Sequence, residues 1–205
     1  MRRAAASLLA TALLSGLLAG CSKDPSAPDV NAPKVDVDTP ALREQKARLG
    51  VDDCAEGEGT GPVEGGLPPV TLACFGGGPD VDVSTLRGPL VVNFWQGACV
   101  PCRQEMPALE EFHQRYGDEV PVLGIDYLDA QPGYAMDLVE STGVTYPLLA
   151  DPDPQLGVEG EVRVVGLPHF VLLDADGRIA YQAPGGIESV DELVDMVEEH
   201  LGVAL

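Results

Sequence analysis

Positive charge is scarce in this chain: 12 Lys and Arg stand against 33 Asp and Glu in 205 residues, a formal charge of −21. A surface this acidic is repelled by phosphate backbones and anionic headgroups, which excludes nucleic acid as a partner and excludes a basic patch as a means of holding a membrane. Also lacking are an internal repeat and a second CxxC or HxxxH at finger-like spacing, which argues against a structural zinc site built around the one CxxC that is there.

What is present begins at the N-terminus. Arg2 and Arg3 precede an apolar stretch from Ala4 to Ala19 that is short for a spanning helix and ends in small residues, the pattern of a secretory leader over residues 1–20. The stretch closes in Leu18-Ala19-Gly20-Cys21, which resembles the lipobox of bacterial lipoproteins. That resemblance implies cleavage before Cys21, lipid on its sulfur, and attachment to the bilayer at the extracytoplasmic face of the cell envelope or periplasm. Residues 21–40, rich in Pro, Asp and Ser, cannot bury enough apolar surface to offset their ordering entropy and read as a flexible tether.

Export places the chain where disulfides persist, and this governs the count of its five cysteines. With Cys21 lipidated, the rest divide into Cys99 with Cys102 and Cys54 with Cys74, although spacing alone does not prove connectivity. A Cys54–Cys74 bridge reads as a structural staple worth about 3 kcal/mol in the chain-entropy model. A second redox pair passing electrons to Cys99 is the alternative.

Residues 41–66 read as an N-terminal extension carrying Cys54, with a short helix over Ala41 to Leu49, and residues 67–205 as one folded domain. In that domain β-rich runs (VTLACF, PLVVNFW, VPVLGIDY, YPLLA) alternate with helical stretches at about Cys99 to Tyr116 and Gly133 to Thr142. A hairpin of HFVLLD and RIAYQA and a helix over Val190 to Leu201 follow. This is the pattern of an α/β fold with a central mixed sheet flanked by helices.

PLVVNFW has no polar alternation except Asn93, as a central strand buried on both faces requires. The chain leaves it through Gln96-Gly97-Ala98 and enters a helix at Cys99. A thiol at a helix N-terminus lies among unpaired N–H groups at the positive end of the macrodipole, which favours the nucleophilic thiolate. Cys99 is therefore the attacking sulfur. Cys102, one turn on, can resolve a mixed disulfide, while Pro101 fits the first turn and removes a donor beside the sulfurs.

NFWQGACVPCRQEMPAL resembles the active-site segment of the thioredoxin superfamily and, within it, the TlpA/ResA-like membrane-tethered thiol-disulfide oxidoreductases. The resemblance covers about Leu67 to Val203 and implies a thioredoxin-like fold, with DAQPGYAMDLVESTGVT as the inserted helix of that group. It places Asn93 where cytoplasmic thioredoxins carry a buried acid and Glu105 where the ResA-like proteins handle protons during exchange. A solvated helix residue is the plain alternative for Glu105. Gly166-Leu167-Pro168 resembles the cis-proline loop that faces the CxxC, so Pro168 joins the catalytic set. Substrate would meet Trp95, the apolar side chain of Val100 and the backbone of Leu167.

Ala98 and Val100 depart from the residues usual in the family and leave the redox poise open. His169 stands where the family often has Thr and reads as a packed or surface ring, or as a group moving protons near the site.

The resemblance further implies an enzyme that reduces disulfides of exported proteins such as apocytochrome c during cytochrome c maturation. Electrons would come from a membrane thiol transporter of the CcdA/DsbD type, and the chain would use no metal or cofactor beyond its own Cys99–Cys102 disulfide. An oxidase of secreted proteins is the alternative within the same chemistry. A peroxiredoxin-like peroxidase would need PxxxTxxC before Cys99, which is absent. A Sco-like copper-delivery module would want CxxxC and a distal histidine, for which only His169 could serve.

Overall fold

The structure is a computed structural model that describes residues 34–157 and 160–205. The leader, Cys21 and most of the tether lie outside the described residues. Among those described, no helix is long and apolar enough to cross a membrane.

Seven strands form one mixed sheet in the order β2-β1-β5-β4-β3-β6-β7. They are β1 (Thr71–Cys74), β2 (Val81–Asp82), β3 (Leu90–Trp95), β4 (Val122–Tyr127), β5 (Leu148–Asp151), β6 (His169–Leu173) and β7 (Ile179–Pro184). Strands β3, β4 and β5 run parallel, joined by crossovers through α2 (Val100–Tyr116) and α3 (Pro132–Thr142). The flanking pairs β3·β6, β6·β7, β1·β5 and β1·β2 are antiparallel. Helices α1 (Pro40–Leu49) and α4 (Val190–Leu201) complete the fold. The mixed α/β sheet and the final hairpin-plus-helix agree with the sequence pattern, and α3 occupies the segment read as an extra helix.

Alternation along β3 sends its residues into two separate core layers. Val91 and Trp95 join the layer of α2, α3 and α4, with Met106, Leu109, Phe112, Met136 and Leu193. Leu90, Val92 and Phe94 join the opposite layer with Leu72, Cys74, Ile125 and Val171. Every residue of β3 is buried, so Asn93 is a polar group forced into the α2 layer. Helix α2 starts at Cys99 as N-cap and runs through Pro107, whose missing N–H forfeits one intrahelical bond while Met106, Leu109 and Phe112 bury the helix's inner face.

The domain boundary differs from the sequence expectation. The compact unit runs from Lys34 to Leu205, so the end of the expected tether and the 41–66 extension belong to the folded domain. Val37, Leu42, Val51 and Cys54 are all core residues, the Gly76 N–H donates to the Val37 carbonyl at 2.8 Å, and the Asp52 N–H donates to the Thr145 carbonyl at 2.8 Å. A few well-spaced apolar side chains outweigh the polar composition there, because each finds a site on a core already built.

Candidate active site

Cys99 caps α2, and its Sγ accepts the Cys102 N–H at 3.1 Å, so a helix-start donor is spent on the sulfur that would carry negative charge. Cys99 and Cys102 are joined as a disulfide with Cα atoms 5.3 Å apart. Cys99 is partly accessible while Cys102 is fully buried in the α2 layer. Only one sulfur of the pair is open to an incoming disulfide. Val100, 64% exposed, and Pro101 stand on the surface beside it.

Glu105 lies one turn beyond Cys102 and is fully buried, which removes the reading as a solvated helix residue. Asn93 Nδ2 donates to its Oε1 at 2.8 Å. Burial pushes the Glu105 carboxyl up to about 8, against hydrogen bonds from Asn93 and the Ile187 backbone that pull it down. The lid over it is made by the segment after β7 and by the proline loop: a methyl group on Gly186 would fall 3.2 Å from Glu105 Oε2 and 3.5 Å from Pro168 Cγ.

The Leu167–Pro168 peptide bond is cis, as the family resemblance implied, and so is Gly88–Pro89, which the sequence reading did not anticipate. Pro168 is buried and its carbonyl accepts the Gly185 N–H at 3.0 Å, whereas Leu167 is partly exposed. Pro168, Gly186 and Glu105 thus converge behind the CxxC, with Leu167 at the rim.

Trp95 requires a correction. It is fully buried, edge-on to Phe75 with ring centroids 6.4 Å apart, because period-2 alternation turns it into the α2 layer beside Asn93. It is core and does not face substrate. His169 is likewise inside, edge-on to Phe94 on the opposite side of the sheet from Cys102, with burial lowering its pKa. That placement removes it as a third ligand beside Cys99. Cys54 and Cys74 are bridged as expected, with Cα atoms 5.8 Å apart. They belong to the layer opposite Cys102, so the sheet separates the two disulfides and a direct relay between them has no path.

Three features were missed. The Asn93–Glu105 hydrogen bond could have been suspected from the single polar residue in β3. A second buried carboxyl, Asp126, sits beside Trp95 in the β3·β4 register, its pKa raised by burial and by Asp129, whose Oδ2 accepts the Gly97 N–H at 2.8 Å. Four large apolar side chains are exposed among the described residues: Val100, already read from the sequence as a substrate contact, and Leu128, Tyr134 and Val165, which were not. Three of them adjoin the CxxC loop or the proline loop in sequence or through Gln96, which donates to the Leu128 carbonyl at 2.7 Å.

Comparison with known proteins gives the same reading. The Redoxin family profile matches residues 62–197. A thiol:disulfide interchange protein DsbE homolog of Paracoccus denitrificans is 33% identical over 126 residues, 60% of this chain and 67% of that protein. Thiol-disulfide oxidoreductase ResA of Bacillus thuringiensis is 30% identical over 112 residues, 53% of this chain and 62% of that protein, so the chain spans under two thirds of ResA's length. Among solved structures, a secreted Mycobacterium tuberculosis disulfide oxidoreductase homologous to Escherichia coli DsbE superposes with a TM-score of 0.55 at 26% identity, covering 64% of this chain and 96% of that one. A thioredoxin-like sheet with a CxxC at the start of α2 and a proline loop converging on Glu105 accounts for these likenesses: the chain belongs to the Redoxin family, as a TlpA/ResA-like member carrying the dithiol centre of thiol-disulfide oxidoreductases.

Proposed function

We propose that this chain, tethered through lipidated Cys21 at the extracytoplasmic face of a membrane, reduces disulfides in exported proteins such as apocytochrome c, with a thiol transporter of the CcdA/DsbD type recharging it. The observation that carries the chemistry is the stack of Cys99 at the helix start, Cys102 one turn in and Glu105 one turn further, of which only Cys99 reaches solvent.

The Cys99 thiolate attacks one sulfur of the substrate disulfide and forms a mixed disulfide, and the substrate's other sulfur leaves as a thiolate. Cys102 gives its proton to the Glu105 carboxylate and attacks Cys99 Sγ. The second substrate sulfur then leaves, the Cys99–Cys102 bond closes, and two electrons have passed to the substrate. A carboxyl held at about 8 is matched to a thiol of ordinary acidity, which is where general-base assistance is most effective near neutral pH. Val100, Leu128 and Val165 supply apolar contact for an unfolded segment, and Leu167 offers backbone at the rim. This suits clients that expose apolar chain before they fold.

Replacing Cys102 by Ser leaves Cys99 able to attack and nothing to resolve the product. The full-length C102S chain is expected to accumulate mixed disulfides through Cys99 with exported c-type cytochrome precursors. Normal expression with no trapped client contradicts the proposal.

A further inference from the structure

The second disulfide is not surrounded as an inert staple would be. Lys46, on α1, is only 4% exposed, and its Nζ lies 3.3 Å from Cys74 Sγ, 2.7 Å from the Gly77 carbonyl and 3.0 Å from Asp53 Oδ1. Cys54 Sγ, by contrast, lies 3.1 Å from the Leu148 carbonyl oxygen. One sulfur faces a buried ammonium and the other faces an acceptor. We propose that Cys54–Cys74 is a second dithiol/disulfide couple, opened by a small external dithiol to give a Cys74 thiolate held by Lys46 and a Cys54 thiol that donates to Leu148.

The asymmetry follows from the charges. A disulfide sulfur is a weak acceptor, so Lys46 gains little from it, but a thiolate at the same place makes a charge-assisted contact out of bulk water. Lys46 therefore favours the opened state over the bridged one and makes Cys74 the better leaving sulfur, since a stabilised thiolate leaves faster. Cys54 would keep its proton, because thiolate beside a carbonyl oxygen is repelled while thiol can donate to it.

Attack falls on Cys54, which lines an apolar cavity of about 110 Å³ with Ala55, Leu86, Leu90 and Pro147. The attacking thiolate bonds to Cys54 Sγ and expels Cys74 as thiolate. The reagent's second thiol, losing its proton, then displaces Cys54, which takes up one proton. The bridge gains two electrons and one proton, and the dithiol leaves as a cyclic disulfide.

Other charges near Lys46 are already engaged. Arg43 pairs with Asp38, and Asp52 lies 3.5 Å from His113 Nε2, which leaves Asp53, 83% exposed at its side chain, as the group competing with Cys74 for the ammonium. The fold also makes the bond consequential, since it fastens the Val51–Gly66 segment to β1. Opening it removes one tether of that segment, which Val51, the Asp52–Thr145 and Gly59–Thr85 backbone hydrogen bonds and the Arg87–Gly61 contact still hold, while the Cys99–Cys102 pair, in the other layer, keeps its own equilibrium.

The test titrates the full chain in dithiothreitol buffers and reads each cysteine pair separately by differential alkylation and mass spectrometry. The Cys54–Cys74 bond is expected to open reversibly with the fold intact. Its apparent equilibrium constant for opening should rise tenfold per pH unit between about 6 and 8, because one proton is released on balance. K46M should lower that constant at least tenfold and abolish its pH dependence, and D53N should raise it severalfold, with Cys99–Cys102 unchanged in both. A bond that opens only when the chain unfolds, a constant independent of pH, or a D53N chain no easier to reduce than the parent overturns the proposal. D53N also decides the matter if K46M does not fold.

Discussion

Replacing Glu105 with Gln keeps the shape of the side chain and an acceptor for Asn93 Nδ2 but removes the proton. In the folded chain this carboxyl titrates at about 8, against an ordinary value of 4.5. Between those two pH values the folded state holds a proton that the unfolded state has released, so stability falls as pH rises through this window and levels off above about 8. At about 1.4 kcal/mol per pH unit the loss is on the order of 3–5 kcal/mol.

The assay is urea unfolding at a series of pH values from 5 to 8.5, followed by the fluorescence of Trp95, the single tryptophan, which is fully buried. The difference between parent and E105Q isolates this group, because His169 and Asp126 titrate alike in both chains. E105Q should be close in stability to the parent at pH 5 and more stable by several kcal/mol at pH 8.5. Its resolving step, read as the decay of a Cys99 mixed disulfide with a model peptide, should be slower and should lose the rise toward pH 8. Parallel stability curves for the two chains refute the buried-carboxyl argument.

Removing the amide in N93L deletes the hydrogen bond that lowers the Glu105 carboxyl, so the pH midpoint of the resolving step should move above the parent's, as stopped-flow quenching of the mixed disulfide would show. Trp95→Ala empties a core site and should cost about 3–5 kcal/mol of unfolding free energy, read by denaturant titration. At a temperature where the variant is folded, its KM for a client peptide should stay near the parent value, as befits a side chain that does not touch substrate.

The sequence carried the site better than its surroundings. β3 was legible because a run with one polar residue has few ways to be buried on both faces, and the CxxC was legible because its spacing puts two sulfurs on one helical turn. The burial of Glu105 was not, since Pro168 and Gly186, which cover it, come from far along the chain. Alternation from Val91 places Trp95 in the core, and the family resemblance that set it against substrate did not weigh that alternation. Lys46 lies on a helix of low mean hydropathy and reads as solvated, and only the Gly76–Gly78 turn folding over it turns it inward against Cys74. The segment from Val37 to Cys54 looked like tether and extension because composition averages over a few apolar residues that tertiary contacts single out.

The reductase reading stands on the poise of one bond. Measuring the reduction potential of Cys99–Cys102 in the full chain, with Cys54–Cys74 followed separately, tests it most directly. A value near the roughly −270 mV of thioredoxin is expected, and one near the roughly −120 mV of DsbA contradicts the reductase and makes the chain an oxidase.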